Sequence, residues 1–190
     1  MHNADRCTPS ATFSTYALLP VLRQLGLQTK ISQSAFVKLI EKAAEEIDLA
    51  QANKLWNYLG AHWFDFNTIS SCGMGFGTFQ SYIKKIKWIP ATFKGQEKLG
   101  DAESCRPYKD MDLVATVKYI LEDKKVEQGI LETMGWNRPV PTSWVIQHLQ
   151  NISTSEEKDI RVLHNIYSFL NDTSDSVADM DKYSLLSVKA

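Results

Sequence analysis

Residues 130–149 constrain the fold of this chain more than any other stretch, because they predict two helices joined at a sharp corner. Gly135 is expected to end the first helix, since glycine most readily adopts the left-handed backbone conformation that closes a helix. Trp136 follows directly and is expected to fold back onto the last helical turn. Pro139 and Pro141 then keep the chain extended, and a helix with one apolar side begins after them. The stretch therefore predicts a helix-turn-helix corner whose side chains pack and do not react.

A second corner of the same kind occurs around Gly26, which lies 109 residues before Gly135. After each corner the sequence predicts a third helix, and the apolar residues of these two helices lie 111 positions apart. They are Leu49, Ala52, Leu55 and Leu59 in the first copy and Ile160, Leu163, Ile166 and Leu170 in the second. This self-similarity predicts an all-α fold built from two related three-helix units, residues 15–60 and 111–171. A long connector, residues 61–110, joins the two units.

The remaining elements are predicted from local spacing. Residues 33–47 and 49–59 have the apolar spacing of the second and third helices of the first unit. In the connector, residues 88–90 read Trp-Ile-Pro and predict one short buried extended segment, because the residue before proline avoids the helical conformation. The polar stretch 92–108 predicts an exposed loop. Apolar spacing over residues 111–121 predicts a further helix.

Length and composition exclude several classes of protein. The chain has 190 residues and is 44% hydrophobic, which fits one globular domain over residues 15–171 with polar, flexible tails at 1–14 and 172–190. Its 21 basic and 22 acidic residues give a net charge of −1, which argues against nucleic acid and anionic membrane as partners. No signal peptide, membrane span or zinc-like cysteine spacing is present, so the expected location is the cytoplasm.

The sequence contains no pattern that predicts a catalytic site. Residues 72–77 read Cys-Gly-Met-Gly-Phe-Gly, but no strand precedes this loop and no Lys-Ser/Thr follows it, so nucleotide binding is not predicted. A cysteine–histidine hydrolase would need Cys72 beside His62 or His148, and nothing in the sequence brings them together. The histidines also lack metal-ligand spacing. We therefore predict no catalytic residue, no cofactor and no metal.

The candidate partner-binding residues lie in the connector. Five large apolar side chains occur there without a periodic face: Trp63, Phe64, Phe66, Met74 and Phe76. They have two possible fates. The preferred one is a plug packed between the two units, because exposed apolar groups of this size are rare in soluble chains. The alternative is an adaptable hydrophobic surface that binds a client protein or another segment of the parent chain.

Several short motifs together resemble a known family. They are Leu-Pro-Val-Leu-Arg-Gln-Leu-Gly-Leu27, Phe79-x-x-x-Ile83-x-x-Ile86-x-Trp88-Ile-Pro-Ala91, Leu113-Val114, Met134-Gly-Trp-x-x-Pro139 and His148-Leu149-Gln-Asn-Ile152. In this order they resemble the helical part of the repeats in the sacsin family, whose members are giant cytoplasmic co-chaperones. The resemblance extends over residues 17–170.

This resemblance implies a function without catalysis. In the sacsin family an ATPase-like domain begins each large repeat and helical segments follow it, and the nucleotide-site motifs of that ATPase domain are absent from this chain. The expectation is therefore a non-catalytic scaffold or client-binding segment of a large chaperone-like protein, acting in protein quality control. Its partners would be proteins or other segments of the same large chain, with no nucleotide bound here. A stand-alone helical adaptor is one alternative, and a small enzyme with a site in residues 62–91 is another.

Overall fold

The computed structural model describes residues 31–67, 78–123, 125–154 and 159–173. Within these ranges the chain forms eight α-helices and one four-stranded sheet. The helices are α1 Gln33–Glu45, α2 Leu49–Ala61, α3 Trp63–Asn67, α4 Phe79–Lys85, α5 Met111–Val114, α6 Gln128–Met134, α7 Thr142–Ser153 and α8 Ile160–Asp172. The prediction of an all-α fold is therefore wrong, and the architecture is mixed α and β.

The helices α1 and α2 lie close to where their apolar spacing predicted them. The Ser32 hydroxyl caps α1 by accepting a hydrogen bond from the Ala35 N–H at 3.2 Å. The Asp48 carboxylate caps α2 in the same way, at 2.9 Å from the Gln51 nitrogen. Both caps satisfy N–H groups that a helix start leaves without an internal partner. None of the helices in the described ranges combines the length and the hydropathy needed to cross a bilayer.

The sheet has the strand order β2-β1-β4-β3, and three of its four strands lie in the predicted connector. Its strands are β1 Ile89–Phe93, β2 Gln96–Gly100, β3 Cys105–Arg106 and β4 Tyr119–Ile120. β1 and β2 form an antiparallel hairpin through Lys94 and Gly95, which both have positive φ, as a two-residue primed turn requires. β4 pairs antiparallel with β1 and parallel with β3. The extended segment predicted at Ile89 is thus confirmed as β1.

Two predictions in this region are wrong for identifiable physical reasons. The predicted loop over residues 92–108 contains β2 and β3; β2 reads Gln-Glu-Lys-Leu-Gly and lacks the apolar alternation that would mark a strand. The predicted helix over 111–121 stops at Val114, because the chain turns there into the two-residue strand β4. In so short a strand, pairing with β1 and β3 outweighs any local preference.

The hydrophobic side chains form two clusters, which we call the sheet core and the C-terminal core. The sheet core joins α1 to α4, β1 and the end of α6; its largest members include Phe36, Trp56, Leu59, Ile83, Trp88 and Trp136. The C-terminal core joins α5, α7 and α8 and includes Val114, Val145, Leu149, Ile166 and Leu170. The Trp56 ring lies 5.7 Å from Trp88 and 6.2 Å from Trp136. Residues from both predicted units and from the connector therefore pack together in the sheet core.

Candidate functional site

The corner predicted at Gly135 is present in the structure. Gly135 follows the last residue of α6 with φ 79°, its N–H donates to the Glu132 carbonyl at 3.1 Å, and the Trp136 N–H donates to the Leu131 carbonyl at 2.8 Å. These two bonds form the Schellman arrangement, which satisfies the last carbonyl groups of the helix. The prediction for Gly135 is confirmed, whereas Gly26, its proposed counterpart, lies outside the described residues.

Two hydrogen bonds fix the corner to the end of the sheet. The Trp136 ring folds inward until its side chain is 1% exposed, and its Nε1 donates to the Ala102 carbonyl at 2.8 Å. The Arg106 Nη2, on β3, donates to the Arg138 carbonyl at 3.0 Å. Both acceptors are backbone groups, so both bonds constrain the path of the chain and not only its side chains. The corner and the β2–β3 loop therefore hold a fixed relative position.

A buried ion pair holds the Arg106 side chain in the position from which it binds the corner. Arg106 and Asp110 lie 2.7 Å apart between Nη2 and Oδ2, and Nε also donates to Oδ2 at 2.8 Å. Both side chains are almost fully buried. Burial raises the pKa of Asp110 above its usual 3.8, and the Arg106 guanidinium opposes that rise. Arg106 thus connects β3, the turn after it and the corner through a single side chain.

An open groove of about 670 Å³ lies between the corner and the β2–β3 loop, and we call it the corner groove. It is lined by the side chains Lys84, Lys85, Asp101, Glu103, Arg106, Glu132, Arg138 and Trp144, together with residues of the corner itself. Charges of both signs thus surround one large aromatic ring. The lining residues come from α4, the β2–β3 loop, β3, α6 and α7, so only the tertiary fold brings them together.

The Trp144 ring is held in place by Lys118. The Lys118 Nζ lies 3.9 Å from the centre of the ring and donates to the Glu103 carbonyl at 3.0 Å. Burial lowers the pKa of Lys118, while the nearby carboxylates of Glu103 and Asp101 oppose that change. A cation over an indole face is attracted by the negative charge density of the ring. One face of Trp144 is therefore occupied, and its ring is fixed in position in the wall of the groove.

The five partner-binding candidates from the sequence do not come together as one surface in the described residues. Trp63 is 2% exposed and Phe66 is 3% exposed, so both belong to the sheet core, whereas Phe64 is 73% exposed. Trp63 packs so closely on Gly129 that a Cβ there would overlap its indole nitrogen. Met74 and Phe76 lie outside the described residues. Of the five, only Phe64 is both described and exposed.

None of the cysteine and histidine side chains among the described residues lines the corner groove. Burial raises the pKa of Cys105 to about 12, so its thiol stays protonated and unreactive at neutral pH. The His62 Nδ1, at the junction of α2 and α3, lies 3.2 Å from the Asp65 Oδ2. His148 is buried, and Cys72 lies outside the described residues. In the part of the chain that the structure describes, no group of three or more His, Cys, Asp or Glu residues is arranged to hold a metal ion.

A second, smaller pocket of about 120 Å³ has an acidic rim. Two of its three carboxylates already have hydrogen-bond donors, because the Trp56 Nε1 donates to Asp123 at 2.7 Å and the Thr92 hydroxyl donates to Glu122 at 2.8 Å. These bonds hold α2 and β1 to the segment after β4. The pocket is therefore explained by packing, and the corner groove is the larger candidate site.

No protein-family profile, no curated protein and no solved structure matches this chain. Sequence reasoning located the corner but not the groove beside it. One wall of the groove is the corner, which the Met134-Gly-Trp136 motif predicted. The other wall is the β2–β3 loop, whose flanking strands no sequence pattern predicted. The function of the site must therefore be inferred from its geometry.

The conformation at Gly135 leads to a testable prediction. We expect Gly135→Val to lower the free energy of unfolding by about 1–2 kcal/mol, because a β-branched residue is poorly tolerated at positive φ. A Cβ at Gly135 would meet no atom within 4 Å, so the cost comes from the backbone alone. Urea unfolding followed by circular dichroism measures it. Gly60→Ala, inside α2 and equally open, is the control and should not destabilise; an unchanged midpoint for Gly135→Val would contradict the prediction.

Proposed function

We propose that this chain is a non-catalytic protein-binding domain and that the corner groove is its contact surface. The observation that supports this proposal is the lining of the groove, which combines a fixed tryptophan with unpaired charges of both signs. Lys84, Lys85 and Arg138 have no ion-pair partner among the described residues, and Glu103 has no cation within ion-pair distance, although its carboxylate acts on Lys118. Tryptophan and arginine are enriched in protein interfaces, particularly among the residues that contribute most to binding. A groove of mixed charge suits a polypeptide better than the uniformly negative backbone of a nucleic acid.

We further propose, on the resemblance to the sacsin family, that the domain belongs to a large chaperone-like protein of the cytoplasm. Two of the motifs that carry the resemblance fall on largely buried parts of the fold: Trp88-Ile-Pro-Ala91 at the start of β1, and Met134-Gly-Trp136 at the corner. The resemblance implied an all-helical fold, and the observed fold is mixed α and β. The motifs therefore support this proposal, whereas the fold class does not. A stand-alone adaptor would use the same groove and differ only in its parent chain.

The exposed Phe64 favours a second contact surface. An aromatic side chain that is 73% exposed on α3 could contribute to the hydrophobic surface considered from the sequence. It lies on an element that does not line the corner groove. The two surfaces can therefore be tested independently by substitution.

Affinity capture from cytosol tests the proposal. We expect the wild-type chain to retain a specific partner and the double variant Trp144→Ala/Arg138→Glu to retain it at least about tenfold less, since each hot-spot side chain contributes more than about 1 kcal/mol. Lys54→Glu, an exposed charge reversal on α2 outside the groove, is the matched control. Thermal melts establish that all variants are folded. Equal capture by the folded double variant would contradict the role of the groove.

A further inference from the structure

His148 is a buried titratable group that the proposed contact surface does not use. It lies on α7, is 2% exposed and faces α5 and the turn that follows it. Its Nδ1 accepts a hydrogen bond from the Thr116 N–H at 3.2 Å and lies 2.7 Å from the Thr116 hydroxyl oxygen. Its Nε2 is buried without a hydrogen-bond partner.

The surrounding donors fix the protonation state of the ring. The Asn151 Nδ2 donates to the Thr116 hydroxyl oxygen at 3.0 Å, which leaves the hydroxyl hydrogen free to point at His148. The Thr116 backbone N–H can only donate. Nδ1 therefore faces two donors and must carry a lone pair, so the single proton of the neutral ring is on Nε2. A second proton at Nδ1 would oppose the Thr116 N–H directly and would place a charge in an apolar core.

The charged groups nearby offer the protonated ring little compensation. Asp112 on α5 is the nearest carboxylate, but Asn165 donates to its Oδ2 at 2.8 Å and the Arg161 Nη2 lies 3.6 Å from its Oδ1. Lys118 faces the Trp144 ring on α7. Asp159 at the N-cap of α8 is exposed, and so are His164, Tyr167 and Asp172 on α8. α7 itself carries no other charged or titratable side chain. Burial lowers the pKa of His148 below 6.5, and the Asp112 carbonyl and carboxylate oppose that change without reversing it.

We propose that His148 is a proton-sensitive contact that holds α7 to α5 and the turn after it at neutral pH and releases the C-terminal core in mild acid. The direction of this pH dependence follows from the linkage between proton binding and folding. The His148 ring binds its proton more weakly in the folded state than in the unfolded state. Its contribution to the free energy of unfolding is therefore complete above pH 6.5 and is lost progressively as the pH falls below that value. The sheet core has no buried histidine among its described members, so it should remain closed when the C-terminal core opens.

The test compares unfolding equilibria of the whole chain at pH 6.5 and pH 5.5. One proton of linkage changes the folding constant by up to about tenfold per pH unit. Because an unperturbed imidazole is already half protonated at pH 6.5, we expect wild type to lose up to about fivefold beyond the loss shown by His148→Asn, whose amide oxygen can still accept from Thr116 but does not titrate. His164→Gln, an exposed histidine on α8, should behave as wild type. A difference of less than about twofold between wild type and His148→Asn would overturn the proposal.

Two measurements on the wild-type chain keep the proposal testable if His148→Asn does not fold. Nitrogen-15 spectra of the imidazole should show the Nε2–H tautomer and a pKa below 6.5; an Nδ1–H tautomer or a pKa at or above that value would overturn it. Amide exchange in mild acid should show Leu149 and Ile166 losing protection before Ile83 and Ile89. Simultaneous loss of protection in both cores would contradict the local release of the C-terminal core.

Discussion

Trp136→Ala is expected to lower the free energy of unfolding by about 3–5 kcal/mol, the range typical of a buried aromatic residue replaced by alanine. The substitution empties a site in the sheet core beside Trp56. It also removes the donor to the Ala102 carbonyl and leaves that buried acceptor without its partner. Urea unfolding monitored by circular dichroism measures the loss.

Trp136→Phe separates the two causes. It keeps most of the aromatic volume but removes the indole N–H, so we expect a smaller loss, on the order of 1–3 kcal/mol. A Trp136→Ala variant as stable as wild type would show that the ring is not part of the core. The corner would then be a surface turn, and the groove would lose its rigid wall.

Arg106→Met is expected to cost about 3–5 kcal/mol at pH 7, because it leaves the Asp110 carboxylate buried without its counter-charge. The loss should shrink as the pH falls. Since burial raises the pKa of Asp110, the folded variant takes up a proton more readily than the unfolded chain and gains stability in acid. Unfolding at pH 7 and pH 5 measures both effects.

The double variant Arg106→Met/Asp110→Leu is the control for this pair. A buried ion pair replaced by apolar side chains of similar volume is often close to neutral in stability. We therefore expect the double variant to recover most of the loss caused by Arg106→Met alone. If Arg106→Met is as stable as wild type at both pH values, the ion pair does not support the corner.

The parts of the fold that the sequence predicted depend on local signals. Gly135 needs only its own φ and the preceding turn, so a glycine after an apolar helix was enough to predict the corner. The helices α1 and α2 each have a capping side chain and an apolar stripe within a few residues. The strand at Ile89 was predicted because the proline after it excludes a helix.

The parts that the sequence did not predict depend on non-local pairing. Thr92 pairs with Ile120, and Cys105 pairs with Tyr119, across separations that no periodicity records. The hairpin turn uses Lys94-Gly95 where Asn-Gly would have given the usual signal. The groove was missed for the same reason, since Lys84, Arg138 and Trp144 meet only after the sheet has formed.

The partner-binding candidates chosen from the sequence divide into buried and exposed residues, and the sequence did not predict which were which. α3 is a single short helix, so Trp63 and Phe66 lie three positions apart and point inward while Phe64 points outward. Five residues are too few to reveal that period in the sequence. The distinction between core and surface within this segment therefore required the structure.

Site-specific photo-crosslinking tests the central claim, that partners bind in the corner groove, most directly. A photoreactive amino acid replaces Trp144 in one variant and Phe64 in another, and both folded chains are irradiated in cytosol. Each position carries a large aromatic side chain, so the two probes are comparable in size. We predict that the Trp144 position crosslinks to a protein partner, and a crosslink from the Phe64 position as well would add the second contact surface on α3. Crosslinks from the Phe64 position alone would contradict the account and place the contact surface on α3.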